Sequence, residues 1–185
     1  MKARVFLRIA ALLLPLTLTA SLAAAQLNSA AQPIALNANL GESLTVTLTA
    51  SAVNFTLTSG SAANPGSTGI TATTAWTLKP SRTAVGVYAY FAAAATALTD
   101  GAGDNIPSSA FFIADNAGAS TALVNTVPFG GALAGLQLAN VAITAANRSG
   151  TRNDAMAFNI NLSTLPNLPA ATYTGTLNIQ AQATP

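Results

Sequence analysis

Cysteine and histidine are absent from the 185 residues, and only 6% of them are charged. Without cysteine no disulfide framework can brace the fold, so any core must hold by packing alone. Without either residue type the Ser-His and Cys-His pairs of nucleophilic catalysis cannot be built, nor can the usual zinc or copper sites. Carboxylates are scarce as well: Glu42, Asp100, Asp104, Asp115 and Asp154 complete the set. A glycosidase needs two facing carboxylates about 5–10 Å apart, and only Asp100 and Asp104 are close in sequence, in a stretch that reads as a loop. A Ser-Lys dyad would have to use Lys79, which sits in a turn where a lowered ammonium pKa is not expected. Catalysis is therefore the least favoured function, and a non-enzymatic role without a cofactor is expected.

The cations are unevenly placed. Of the seven basic residues, Lys2, Arg4 and Arg8 lie at the extreme N-terminus. An apolar run, Ile9 to Leu18, and the small residues Ser21-Leu22-Ala23-Ala24-Ala25 follow. This is the pattern of a secretory signal peptide over 1–25, cleaved before Gln26, with a second acceptable site before Gln32. The apolar run is too short to cross about 30 Å of hydrocarbon, and no cysteine is available for a lipid anchor. A mature protein without a membrane span, in the periplasm, at the cell surface or outside the cell, is expected. The pI of 9.4 belongs to the whole chain; beyond the leader, Lys79, Arg82, Arg148 and Arg152 face five carboxylates. Nucleic-acid binding needs many clustered cations, and the sequence does not provide them.

The remaining chain, about 160 residues, fits one domain that buries roughly two-thirds of its unfolded surface. Residues 26–40 read as a polar, Ala-rich N-terminal arm with Pro33, and 41–185 as the folded domain. The stretch Ile70–Phe91 organises that domain. Ile70, Ala72, Thr74, Trp76 and Leu78 alternate with smaller residues, as a half-buried strand requires. Lys79-Pro80-Ser81-Arg82-Thr83 breaks the run. Val85, Val87, Ala89 and Phe91 then oppose Tyr88 and Tyr90. The stretch reads as a central hairpin.

Further alternation occurs at Leu44–Leu48 and Val53–Leu57, with a phase change between them that marks a bend or bulge. More strands are expected at 109–114, at Leu136–Ile143 as a bulged strand or strand pair, at Ala155–Leu162, and at Tyr173–Ala181. Val127-Pro128-Phe129 reads as an edge strand, Ala92–Leu98 as a helical turn, and Asn147–Asn153 as a polar turn. Short strands at spacings near ten residues argue a single immunoglobulin-like β-sandwich behind the cleaved leader.

The tail Leu168-Pro169-Ala170-Ala171-Thr172-Tyr173-Thr174-Gly175-Thr176-Leu177 resembles the ending of exported bacterial β-sandwich proteins of the spore-coat-U-like and fimbrial type. The resemblance covers about a tenth of the mature chain. It implies export with a periplasmic chaperone and assembly with itself or other exported subunits by donating a strand to a neighbour's incomplete sandwich, a form of β-augmentation. The donor would be the arm, whose bulky residues are Leu27, Ile34 and Leu36. A self-contained sandwich working alone at the cell surface is the other form of this reading.

Three groups are candidate binding residues. Asp100, Asp104 and Asn105 could offer oxygen ligands to calcium, although the EF-hand spacing is missing and these are ordinary turn formers. Lys79, Arg82, Arg148 and Arg152 would form a small anion patch if their two turns shared one end of the domain. Tyr88 and Tyr90 would stack on sugars if exposed, which makes a carbohydrate- or ligand-binding module the alternative function.

Overall fold

The computed structural model describes residues 28–185, so the proposed leader and the first two residues of the arm lie outside it. Residues 28–38 form a unit of their own, without regular secondary structure and exposed along their length. The second unit, 39–185, is all-β and antiparallel. Its strands are β1 (Ser43–Leu48), β2 (Asn64–Pro65), β3 (Ile70–Thr77), β4 (Ala84–Tyr90), β5 (Leu98–Thr99), β6 (Asn105–Ile106), β7 (Phe111–Asp115), β8 (Thr121–Ala122), β9 (Gly135–Ala142), β10 (Ser149–Ile160) and β11 (Asn178–Thr184). One sheet has the order β1-β3-β10-β7-β8, with β2 added to β10; a second has the order β11-β4-β9; β5 and β6 form a small ribbon. Among the described residues no helix is long and apolar enough to cross a membrane.

The alternation read in β3 is realised in full: Ile70, Ala72, Thr74 and Trp76 are buried and their neighbours only half-buried. The expected hairpin is not formed. β3 and β4 belong to different sheets, each flanked by two other strands, and the segment between them carries the chain from one sheet to the other. Trp76 is positioned by pairing on both sides, opposite Leu44 of β1 and Gly150 of β10. A Cβ on Gly150 would lie 2.9 Å from the indole Cζ2, so the ring uses the space that glycine leaves. Its Nε1–H donates to the Asn147 carbonyl at 2.9 Å, which satisfies the one polar group a buried tryptophan brings.

The buried hydrophobic residues form two clusters, a small one of Trp76, Leu78 and Val85 and a larger one to which both larger sheets contribute. Ile70, Ala72, Phe111, Ile113, Met156, Phe158 and Ile160 enter it from one side, Ala89 and Leu136 from the other. Phe111 is the hub, with ring centroids 5.7 Å from Phe55, 5.2 Å from Phe91 and 6.0 Å from Phe158.

Several local expectations are corrected. Ala92–Leu98 forms bends and a turn running into β5, not a helix. Val127–Phe129 is not a strand; Phe129 packs on Tyr88 and Tyr90 instead. The polar turn at 147–153 is shorter than expected, because β10 already begins at Ser149. At Leu136–Ile143, by contrast, the bulged strand, one of the two forms expected, is realised as β9, whose register against β4 slips between Val87 and Tyr88 and so shifts the buried phase.

Candidate groove

Two alternating segments expected as strands do not complete a ladder, and a groove lies between them. Val53, Phe55 and Leu57 turn their side chains inward. Among the described residues their backbone is held on one side, by the Phe55–Gly66 bridge and by Ser67 N–H donating to the Asn54 carbonyl at 2.8 Å. Across from them, β11 begins at Asn178, and among the described residues the one β-bridge of residues 168–177 is Thr99–Thr174, with reciprocal 2.9 Å hydrogen bonds. Tyr173 fixes the bend by donating its hydroxyl to the Pro169 carbonyl at 2.9 Å. β1 and β11 are the edge strands of their sheets on this side.

The resulting groove has a volume of about 790 Å³. Its floor is core: Ile70, Phe91, Phe111, Met156, Phe158, Ile160 and Leu162 all contribute surface. Among the described residues no charged side chain lines it, and Tyr173 is the titratable group there. That phenol is pushed up by desolvation and, further, by the negative charges of Asp104 and Asp100, so it is a poor proton donor. The groove thus combines an uncharged lining and an apolar floor with under-paired backbone along two of its walls.

The groups singled out in the sequence lie elsewhere. Asp100 Oδ1 accepts the backbone N–H groups of Ala102, Gly103 and Asp104 at 2.8, 3.1 and 3.0 Å, and these bonds, Ala102's first, hold its carboxyl below the ordinary value. Asn105 Nδ2 donates to the Gly103 carbonyl at 2.9 Å. Asp100 and Asn105 thus close their own loop. Among the described residues no three acidic groups gather.

The two cationic turns do share an end, since Leu78 N–H donates to the Arg148 carbonyl at 2.8 Å. Three of the four cations are nevertheless engaged. Arg82 grips Glu42 through Nε and Nη2 at 3.1 and 3.3 Å, and Lys79 Nζ lies 3.4 Å from the same carboxylate. Arg152 turns inward to Asp154.

The sequence reading missed that inward cluster. Asp154 is wholly buried; its Oδ1 accepts Arg152 Nη2 at 2.6 Å and Nε at 2.7 Å. Asn116 Nδ2 donates to Asp115 Oδ2 at 3.1 Å and approaches Asp154 Oδ1 at 3.4 Å. Extending the period-two pattern backward from Met156 through Asp154 to Arg152 was the available signal.

Glu42 joins the arm to β1 and has its own pH signature. The Arg82 hydrogen bonds first, then the Lys79 backbone N–H, lower its carboxyl from 4.5 to about 2. A folded-state value below the ordinary one contributes stability that is present above about pH 4.5 and is lost as pH falls through about 2. Urea midpoints of the parent and of Glu42→Gln should therefore differ near neutral pH and converge toward pH 2. A constant gap across that range would mean that the carboxylate's charge is not what matters.

No family model, curated protein or solved structure matches this chain.

Proposed function

We propose that this chain is an exported, non-enzymatic structural subunit of the cell surface or periplasm, an immunoglobulin-like sandwich short of one strand, and that copies assemble when one subunit's arm enters the next one's groove. One observation carries the reading: a groove of about 790 Å³ with an apolar floor occurs in the same molecule as an arm that exposes Ile34, Leu36 and Leu40 at 83%, 89% and 84%. With Ala38, these residues alternate with Ala35, Asn37 and Asn39, so an extended arm would present one apolar face. Pro33, which has no N–H, suits the start of such a strand. Burying each large side chain contributes about 1.5–3 kcal/mol, whereas ordering each arm residue costs about 1–2 kcal/mol. Side chains alone therefore do not hold the arm, and main-chain hydrogen bonds to the under-paired walls must add to them. The groove wall at 168–177 is also the segment that resembles the tails of fimbrial-type subunits, and the leader over 1–25 supports export, with a periplasmic chaperone as the implied helper.

Sedimentation of the mature protein, with and without residues 26–40, tests the reading. The parent should form concentration-dependent oligomers, and the shortened protein should run as a monomer that still unfolds cooperatively. A parent that stays monomeric and is indifferent to the deletion would sink strand addition.

A further inference from the structure

A second surface is independent of the groove: the outer face of the three-stranded sheet β11-β4-β9. None of the three strands contains an acidic or basic residue. Register places Gln180, Tyr88 and Gln137 in one row across the sheet, and Gln182, Gly86 and Asn140 in the next. Val85 and Val87, on the opposite face of β4, are fully buried, so these rows point outward, with Gln137, Asn140 and Gln180 exposed and Tyr88 half-exposed.

Gly86 sets the attitude of the tyrosine. A Cβ there would come within 2.4 Å of the Tyr88 hydroxyl and 2.7 Å of its Cε2 and Cζ. The phenol therefore lies along the sheet over the glycine instead of standing off it. Gln137 Nε2 approaches its hydroxyl at 3.5 Å, and Tyr90 donates to Gln180 Oε1 at 2.7 Å. Phe129 packs at 5.9 Å from Tyr88 and 5.7 Å from Tyr90, which steadies one end of the row.

From this we infer that the face binds neutral polysaccharide. A flat ring on a sheet matches the C–H face of a pyranose, and the flanking carboxamides keep groups for sugar hydroxyls: the Gln180 amide nitrogen as donor and the Gln137 amide oxygen as acceptor. The absence of charge disfavours anionic polymers, which need cations. A protein partner would find little to bury beyond the rings, since the neighbouring outward positions are the small residues Ala84, Ala142 and Thr184. The strip is about 20 Å long and about 10 Å wide, enough for several linked sugars.

Affinity electrophoresis through gels containing mannan, dextran, hydroxyethyl cellulose or glycol chitosan acetylated to neutrality, with alginate as the anionic control, tests this. Retardation is expected in at least one neutral gel, unchanged by added salt and by deletion of residues 26–40. Tyr88→Ala should reduce it at least tenfold, while Tyr88→Phe, which keeps the ring, should retain most of it. Far-UV circular dichroism and the unfolding midpoint establish that both variants are folded. The inference is overturned by the absence of retardation in every neutral gel, by retardation confined to alginate, or by retardation that a folded Tyr88→Ala leaves intact. It is equally overturned if Tyr88→Ala changes only the oligomeric state, because the face would then be a contact between copies. Because the arm-deleted protein is expected to bind as well as the parent, failure here and failure of strand addition are read separately.

Discussion

Replacing Asp154 with alanine should destabilise the fold by about 3 kcal/mol, the lower end of the range for breaking one side of a buried ion pair. The carboxylate has no solvent exposure and takes two hydrogen bonds from Arg152, at 2.6 and 2.7 Å. Without it, the partner left to the guanidinium among the described residues is Asp115, at 3.8 Å, and most of its own desolvation goes uncompensated. The lower end applies because Arg152 leaves 35% of its side chain in solvent and can recover some hydration. Asp115 should respond as well. Its carboxyl is raised, first by burial and then by the negative charge of Asp154. A raised carboxyl means that the folded state holds the proton more tightly, so this group favours folding as pH falls through its folded value and costs stability above it. Asp154→Ala removes the second cause and should weaken that acid-side gain. Urea unfolding with an unchanged slope, compared with Asp154→Asn and repeated across the acidic range, measures both effects. A loss below about 1 kcal/mol would show that the pair is no better than a surface bridge.

The sequence exposed local periodicity well and long-range pairing poorly, for a physical reason. Alternation reports which face of a strand is apolar, and for Ile70–Leu78 and Met156–Leu162 every expected inward residue is buried. It does not report what lies along the strand's edge. Val53–Leu57 alternates as expected and Tyr173 and Leu177 both pack on the core, yet both segments stop short of a complete ladder. The groove is therefore spelled in the sequence as two ordinary strands, and only their failure to pair distinguishes it. The linker Lys79–Thr83 is likewise compatible with a hairpin or with a crossing between sheets; packing on both sides of Trp76 decides for the crossing. The row of outward amides is not legible in the sequence, because Gln137, Asn140, Gln180 and Gln182 come from two segments more than thirty residues apart and the register of β4 brings them together.

A synthetic peptide spanning residues 30–41, added to protein lacking its arm, should raise the melting temperature by about 5–10 °C once it stands about 100-fold above its dissociation constant. The number follows from mass action, which contributes about 2.7 kcal/mol at that excess when the ligand binds only the folded state. The peptide carries the alternating face Ile34, Leu36, Ala38 and Leu40, and among the described residues no charged side chain lines the receiving groove. Its effect should therefore change little between low and high salt. A peptide with Ile34→Asp and Leu36→Asp should have no effect, because neither carboxylate would find a cation in the groove and burying an unpaired charge costs several kcal/mol. A scrambled peptide of the same composition separates strand register from mere apolarity, because moving the apolar residues out of period two turns half of them toward solvent. Equal stabilisation by the scrambled and native peptides would mean that the groove binds greasy chains without reading their order. Stabilisation by the native peptide alone would identify a socket cut for a strand of this pattern.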